Sequence, residues 1–290
     1  MKCVGSTRSA DTVRDGDVSY YTMPNLTVAD RRLMEGLPAF SPVAIRLLSA
    51  LADESVSLKE ITRLISVDPV LAGEVLRLAN SGLYGRRVKV DSVLCAITML
   101  GCGKLSQIAV TAALWRGVAQ RASPFVRDWW RHSIAAALIA SKCSENNFKD
   151  LAYTAALLHG VGQLALFQDA SKTYPNLVEK AYADGIDLLE RERDEFGTDH
   201  ASLAGLILES WELSGNLCEA VSKHHEETVV SGLLRAVHTG CVGAEFAGFG
   251  RCGCHVHVPG GTPVLLAELF ADDYFDVLAG GVNRIECSLV

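Results

Sequence analysis

The sequence lacks the features that identify membrane-spanning, secreted or nucleic-acid-coating proteins. Its most apolar stretch, residues 93–115, is interrupted by two glycines, a lysine and a glutamine, so it predicts buried helices rather than a membrane span. The first thirty residues contain no apolar segment of the kind that a secretory signal requires. Basic residues are not in excess, because 27 Lys and Arg face 34 Asp and Glu and give a net charge of −7. We therefore predict a cytoplasmic location and no membrane partner, and we do not expect nucleic-acid binding.

Paired cysteines and regular strand patterns are also scarce. Nine cysteines are scattered along 290 residues, which favours reduced thiols in a cytoplasmic protein over a disulfide framework. Alternation of apolar and polar residues is weak, and only residues 252–258 and 285–290 favour β structure. With 49% apolar and 21% charged residues, the chain has the composition of a globular protein. The remaining periodicity is helical, so the predicted fold class is all-α.

Helix start signals recur along the chain. Ser57 and Glu60 form a capping-box pattern, and Asp68, which is followed by proline, combines an acidic N-cap with a proline at the first helical position. A later Ser-Pro pair precedes a long helix that carries Trp129 and Trp130, which we interpret as core anchors. Further helices are predicted at 149–168, 175–183, 186–195, 199–212, 215–225 and 229–247.

Composition changes near residues 121–124 divide the chain. The predicted organisation is a flexible leader (1–25), a domain over 26–247 with an N-terminal helical half (26–120) and a second helical half (121–247), and a C-terminal segment (248–290). The C-terminal segment begins as a loop rich in Gly and Cys. It then regains an apolar helix from Pro263 to about Leu278.

Histidines are the candidate functional residues, because several of them stand at helix ends or on a long helix. The candidates are His132, His159, His200, His224 and His225. Imidazoles on separate helices of a bundle can converge on a metal pair. From spacing alone, core histidines that are satisfied by backbone groups are the favoured interpretation.

A second group of soft ligands lies near the C terminus, within six residues. Its members are Cys252, Cys254, His255 and His257. Their spacing is tighter than that of usual zinc motifs, and no second half-site is evident. A glycine-rich loop with incidental thiols is our interpretation, and metal binding is the alternative.

Several motifs together resemble the HDOD family over residues 30–245, approximately. In the first half they are Leu37-Pro38, Ser66-Val67-Asp68-Pro69, Arg77-Leu78-Ala79-Asn80-Ser81 and Ala96-Ile97 followed by Leu100-Gly101. In the second half they are Leu157-Leu158-His159, Asp199-His200, the helix with Trp211, and His224-His225. The resemblance implies a multi-helical fold similar to that of HD hydrolases and HD-GYP phosphodiesterases. The second half would be the HD-like bundle and residues 26–120 an additional N-terminal helical bundle.

The resemblance also assigns metal-site positions. In an active HD-type site, a histidine, a His-Asp doublet and later His and Asp residues hold one or two metals. All five candidate histidines match such positions, but Gly160 stands where the doublet has its aspartate. Gln163 replaces a lysine of the HD-GYP pattern, and Cys241 aligns with the closing aspartate. We expect a vestigial site with no required cofactor, although a single divalent metal held by the histidines remains open.

These departures lead to the functional hypothesis of a non-catalytic signalling output module. The module would bind a signalling protein partner, and a nucleotide-type ligand remains open. The alternative is a metal-dependent phosphohydrolase or cyclic-dinucleotide phosphodiesterase that uses the histidines. A third hypothesis is a cyclic-dinucleotide sensor that keeps the pocket without the chemistry.

Overall fold

The computed structural model describes residues 26–35, 42–52, 56–81, 90–119, 123–145, 148–226, 232–250 and 274–289. Within these ranges every regular element is an α-helix, which confirms the predicted all-α fold. The first helices are α1 (Val28–Glu35), α2 (Pro42–Ala52), α3 (Leu58–Val67), α4 (Pro69–Ala79), α5 (Val93–Leu100) and α6 (Cys102–Val118). They are followed by α7 (Pro124–Cys143), α8 (Lys149–Leu158), α9 (Val161–Asp169), α10 (Tyr174–Asp184), α11 (Leu188–Phe196), α12 (His200–Ser210), α13 (Gly215–Ser222), α14 (Gly232–Phe246) and α15 (Tyr274–Leu289).

Some sequence predictions fall outside the described ranges. They are the leader at 1–25, the boundary between the two halves at 120–121 and the Cys/His group at 252–257. Among the described helices, none is long and apolar enough to cross a membrane.

Capping residues explain why several helices begin where they do. Ser57 accepts the Glu60 amide at 3.2 Å, and the Asp68 carboxylate accepts two amides of the first turn of α4 at 3.0 and 3.1 Å. The capping box is only half formed. The Glu60 carboxylate binds Arg63 at 2.6 and 2.9 Å instead of reaching back to Ser57.

The predicted helix over 149–168 is wrong at its centre, because the chain breaks into α8 and α9 at His159 and Gly160. The Gly160 carbonyl accepts the Trp129 indole N–H at 2.7 Å and also the backbone N–H of Gln163 at 3.0 Å. In a continuous helix this carbonyl would accept the backbone N–H of the residue four positions later. The break therefore places His159 at a helix end, next to α7.

Helix α7 runs through the centre of the second half and packs against α8, α14 and α15. Gly240 of α14 allows a close approach, because a Cβ there would lie 2.5 Å from the Ala136 carbonyl oxygen. On the other side, α12 packs against α9 and α13. Gly162 of α9 faces the backbone of His200 closely enough to exclude a side chain. These contacts bring the histidine-bearing helices to one region of the bundle.

The C-terminal prediction needs correction. Residues 285–289, which favour β structure locally, belong to α15. Leu278, Val282, Ile285 and Leu289 are buried at helical spacing, where α15 packs against α4 and α7. Tertiary burial of this stripe outweighs the local β preference. Of the helix predicted over 263–278, only 274–278 lie in the described part of the chain, and these are helical.

Candidate metal centre

Five histidines and one cysteine from distant parts of the sequence form two adjacent groups. The Cys241 triad consists of His132 from α7, His159 after α8 and Cys241 from α14. The His200 triad consists of His200 from α12 and of His224 and His225, which follow α13. In each triad, one ligand atom per residue lies within 4.8 Å of the others. The structure thus brings together all the histidines and the cysteine that the family resemblance selects.

Backbone carbonyls orient the two histidines of the Cys241 triad. The Nδ1 atom of His132 lies 2.7 Å from the Phe249 oxygen, and that of His159 lies 2.5 Å from the Ala156 oxygen. A carbonyl only accepts, so each Nδ1 carries the proton and each Nε2 keeps a lone pair. Burial lowers the pKa of His132 and holds that of His159 well below its usual value, with His224 and His132 adding to the effect on His159. Both rings are therefore neutral near pH 7.

The free lone pairs of this triad face each other. The two Nε2 atoms of His132 and His159 are 3.3 Å apart, and the Cys241 sulfur is 3.6 Å from the His132 Nε2. A tetrahedral zinc ion with bonds of about 2.05 Å to nitrogen and about 2.3 Å to sulfur separates such donors by about 3.3 and about 3.5 Å. The donor set of the Cys241 triad therefore fits a zinc-like ion.

A buried carboxylate orients the leading histidine of the His200 triad. Glu192, which is fully buried, accepts the His200 backbone N–H at 2.8 Å and its Nδ1 at 2.7 Å. The Tyr174 hydroxyl donates to the same carboxylate at 2.5 Å. Burial alone would lower the pKa of His200, but the charge and hydrogen bond of Glu192 outweigh it and raise that pKa. A carboxylate that accepts a hydrogen bond from Nδ1 also makes the Nε2 of the same ring a stronger metal ligand.

The Nε2 atoms of His200 and His225, which face each other, lie 3.0 Å apart. Burial, and then the nearby His200, hold the pKa of His225 well below its usual value. In the metal-free protein, a proton on His200 can therefore be donated to the neutral His225. Binding of a metal would displace that proton.

His224 joins the two triads. Its ring lies 4.9 Å from that of His159 and 4.1 Å from that of His225, centroid to centroid. Its Nδ1 lies 2.6 Å from the Val221 oxygen, while its buried Nε2 has no hydrogen-bond partner among the described residues. A buried polar atom without a partner costs about 1–3 kcal/mol. This atom indicates that the second triad also fits a metal ion.

Gly160 cannot be replaced by a carboxylate in the present packing. A Cβ at this position would lie 2.5 Å from the Trp129 Nε1, which itself donates to the Gly160 oxygen at 2.7 Å. The indole therefore fills the space that an aspartate side chain would use. As a result, none of the six donors of the two triads is a carboxylate.

A comparison with known domain families now identifies the chain. The sequence profile of the HDOD domain matches residues 37–227, which is more than half of the chain. The chain belongs to the HDOD family. Its motifs in both halves had indicated this membership.

Solved structures agree on the fold of this HDOD chain. A Geobacter sulfurreducens HDOD domain protein of unknown function has a TM-score of 0.69 at 22% identity, over 90% of this chain and 96% of that one. A Shewanella amazonensis SB2B protein, provisionally named a phosphohydrolase, has a TM-score of 0.68 at 21% identity, over 91% and 99%. A Marinobacter aquaeolei VT8 protein, provisionally named a signal transduction protein, has a TM-score of 0.66 at 19% identity, over 90% and 63%. No curated protein matches this sequence.

Sequence reasoning missed three residues that shape the HDOD centre. Trp129 was interpreted only as a core anchor, and Glu192 was not selected from the predicted helix over 186–195. His238 was not selected, although its buried Nδ1 lies 2.7 Å from the His224 oxygen. Glu192 was detectable, because it stands four residues from both Leu188 and Phe196 and so shares their buried face.

Proposed function

We propose that this HDOD chain is a non-catalytic signalling module whose His/Cys centre holds a structural metal ion. The observation that carries the proposal is the absence of a carboxylate from the six donors, together with the Trp129 indole that fills the space beside Gly160. The family resemblance implies that hydrolysis by an HD-type metal pair needs that carboxylate. Without it, an ion at the centre still has ligands but no bridging oxygen donor.

A bound ion would cross-link elements that are far apart in sequence. When bound at the Cys241 triad, zinc supplies a link between α7, the end of α8 and α14. The donors are buried, and backbone carbonyls already orient the His132 and His159 rings. Such pre-orientation favours tight structural binding, whose free energy adds to that of folding.

The cavity that borders the centre at His132 is unfavourable for a phosphate ester. A cavity of about 630 Å³ lies beside His132 and is here called the α7–α10 cavity. Its lining includes Asp128, Glu179 and Glu245, and no lysine or arginine occurs among the described residues that line it. Carboxylates that line this cavity repel anionic substrates. This supports the non-catalytic alternative over the phosphodiesterase.

A protein partner is part of the proposal. In the N-terminal half, Val67, Val70 and Leu94 are 58%, 57% and 65% exposed. They lie on α3, α4 and α5, which pack against one another. Exposed apolar side chains on neighbouring elements are typical of surfaces that bind another protein.

Elemental analysis and turnover assays test the proposal together. The chain would be purified without chelators or a histidine tag and its metal content measured per chain. We expect zinc to be bound to the purified chain. We expect no hydrolysis of cyclic dinucleotides, other phosphodiesters or nucleotides in the presence of Mn²⁺, Fe²⁺ or Ni²⁺. Metal-dependent turnover that disappears in His159→Ala would overturn the proposal and establish the phosphohydrolase alternative.

A further inference from the structure

The α7–α10 cavity has the features of a binding site in its own right. It is bounded by α7, α9, α10 and the segment after α14. Its apolar wall includes Phe125, Trp129 and Val178. Phe125 stacks on Phe167 with ring centroids 4.7 Å apart, so this wall is held by the core. A pocket of this size with an apolar wall and a few polar groups is typical of a small-molecule site.

Among the described residues that line the cavity, the charged side chains are all of one sign. They are the carboxylates of Asp128, Glu179 and Glu245. Three carboxylates around one cavity attract a cation and repel an anion. The aromatic rings of Phe125 and Trp129 also line the cavity, and aromatic rings attract ammonium groups.

The helix N-termini that border the cavity offer few donors to an anion. Proline occupies position 124 at the start of α7 and position 175 at the start of α10, so neither position has an N–H group. The Val126 amide of α7 is already bound by the Ser123 hydroxyl at 3.1 Å. The usual anion site at a helix start is therefore weakened at α7 and α10.

Gln163 supplies an independent indication of a ligand. This α9 side chain lines the cavity and is only 4% exposed. Its amide nitrogen has no hydrogen-bond partner among the described residues. A buried amide N–H group left unpaired costs about 1–3 kcal/mol, so a ligand that brings an acceptor oxygen would relieve this cost.

We propose that the α7–α10 cavity binds a small organic cation that carries both an ammonium group and a carbonyl oxygen, as N-acylated amines do. The ammonium would lie near the carboxylates of Asp128, Glu179 and Glu245, and the carbonyl oxygen would accept from Gln163. The inference does not depend on the metal content of the centre. If the chain is the signalling module proposed above, small N-acylated amines are the class of ligand that would regulate it.

Calorimetric titration of the full chain with two matched amines tests the proposal. N-acetylputrescine and n-heptylamine have the same length and one ammonium each, but only the first has a carbonyl oxygen. In Gln163→Met, the affinity for N-acetylputrescine should fall about tenfold and that for n-heptylamine should stay the same, since one hydrogen bond is removed. Glu179→Gln should weaken both amines about two- to fivefold, because an exposed carboxylate contributes modestly.

Glu190→Gln is the matched control, because Glu190 is an exposed carboxylate that does not line the cavity. It should leave both affinities unchanged. The proposal is overturned if N-acetylputrescine does not bind at millimolar concentration or if Gln163→Met affects both amines equally. Binding of pyrophosphate in place of the amines would also overturn it, as it would identify an anion site. If Gln163→Met does not fold, as judged by its thermal transition, the exposed Glu179→Gln variant decides alone, and an unchanged affinity for N-acetylputrescine overturns the proposal.

Discussion

The Cys241 triad and the His200 triad lie side by side, yet their histidines are held by different kinds of group. Backbone carbonyls of Phe249 and Ala156 bind the outer nitrogens of the Cys241 triad. The carboxylate of Glu192 binds the outer nitrogen of His200. Carbonyls fix the orientation of a ring without adding a charge, whereas a buried carboxylate also stabilises a protonated ring.

This difference predicts different behaviour in the absence of metal. In the His200 triad, a proton can lie between the Nε2 atoms of His200 and His225, and a metal ion must displace that proton in order to bind. In the Cys241 triad, His132 and His159 are both neutral and their inner nitrogens are 3.3 Å apart without a proton. The Cys241 triad is therefore the better site for a soft ion, and its thiol strengthens that preference.

The largest effect is expected from Cys241→Ser. Loss of the thiolate should lower the zinc affinity of the Cys241 triad by more than about 100-fold, since removal of an outer-shell group alone costs about 10–100-fold. Titration with Co²⁺ in place of zinc tests whether Cys241 binds the metal. In Cys241→Ser the sulfur-to-cobalt charge-transfer band should disappear. Cys218→Ser is the control, since Cys218 is also buried but binds the Leu213 oxygen. An unchanged band in Cys241→Ser would exclude this cysteine as a ligand.

Glu192→Gln should weaken only the His200 triad. We expect a loss of about 10–100-fold in metal affinity there, because the amide oxygen can still accept the two His200 N–H groups but lacks the charge that strengthens His200 as a ligand. Titration with zinc under competition by a chelator, followed by elemental analysis, separates the two binding steps. Glu190→Gln on the same helix should have no effect. Equal weakening of both steps would mean that the triads form a single coupled site.

Gly160→Asp tests why the centre has no carboxylate. The new side chain meets the Trp129 indole, so we expect a loss of about 1–3 kcal/mol in the free energy of unfolding from overpacking. Denaturant unfolding measures the change. In the Trp129→Ala background the same substitution should cost clearly less, because the indole is gone. A cost that is the same in both backgrounds would remove Trp129 as the explanation.

The smallest effect per residue is the pH dependence of the metal-free protein. Burial, the largest cause, lowers the pKa of His132 and holds that of His159 and His224 well below 6.5, so protons bind these rings more tightly in the unfolded chain. Stability is then fully present above pH 6.5 and falls as the pH decreases. His159 and His224, whose pKa values lie well below 6.5, should each contribute a loss of about 0.7 kcal/mol between pH 7 and 6.

Unfolding in the presence of a chelator at the two pH values measures this loss. His159→Gln should reduce the loss, whereas removal of His200 should not, because the pKa of His200 is raised and its contribution has the opposite sign. Stability that is constant or that rises as the pH falls would contradict the assignment of neutral rings to the Cys241 triad.

Local pattern was sufficient for much of the fold. Ser57 and Asp68 cap helices as expected, because a cap needs only residues within one turn. The failures lie where distant contacts override local preference. The break at Gly160 depends on Trp129, and the helix at residues 285–289 depends on packing against α4 and α7.

What the sequence by itself determined is the all-α class, through helical spacing, and the HDOD membership, through the family motifs. Those motifs also selected the residues of the candidate centre. Only the tertiary structure decided how those donors divide into two triads and which ring nitrogen of each oriented histidine faces inward. The Phe249 carbonyl that orients His132 lies 117 residues away in sequence. A ring's tautomer and pKa follow from such partners and from burial, and neither can be obtained from residue spacing.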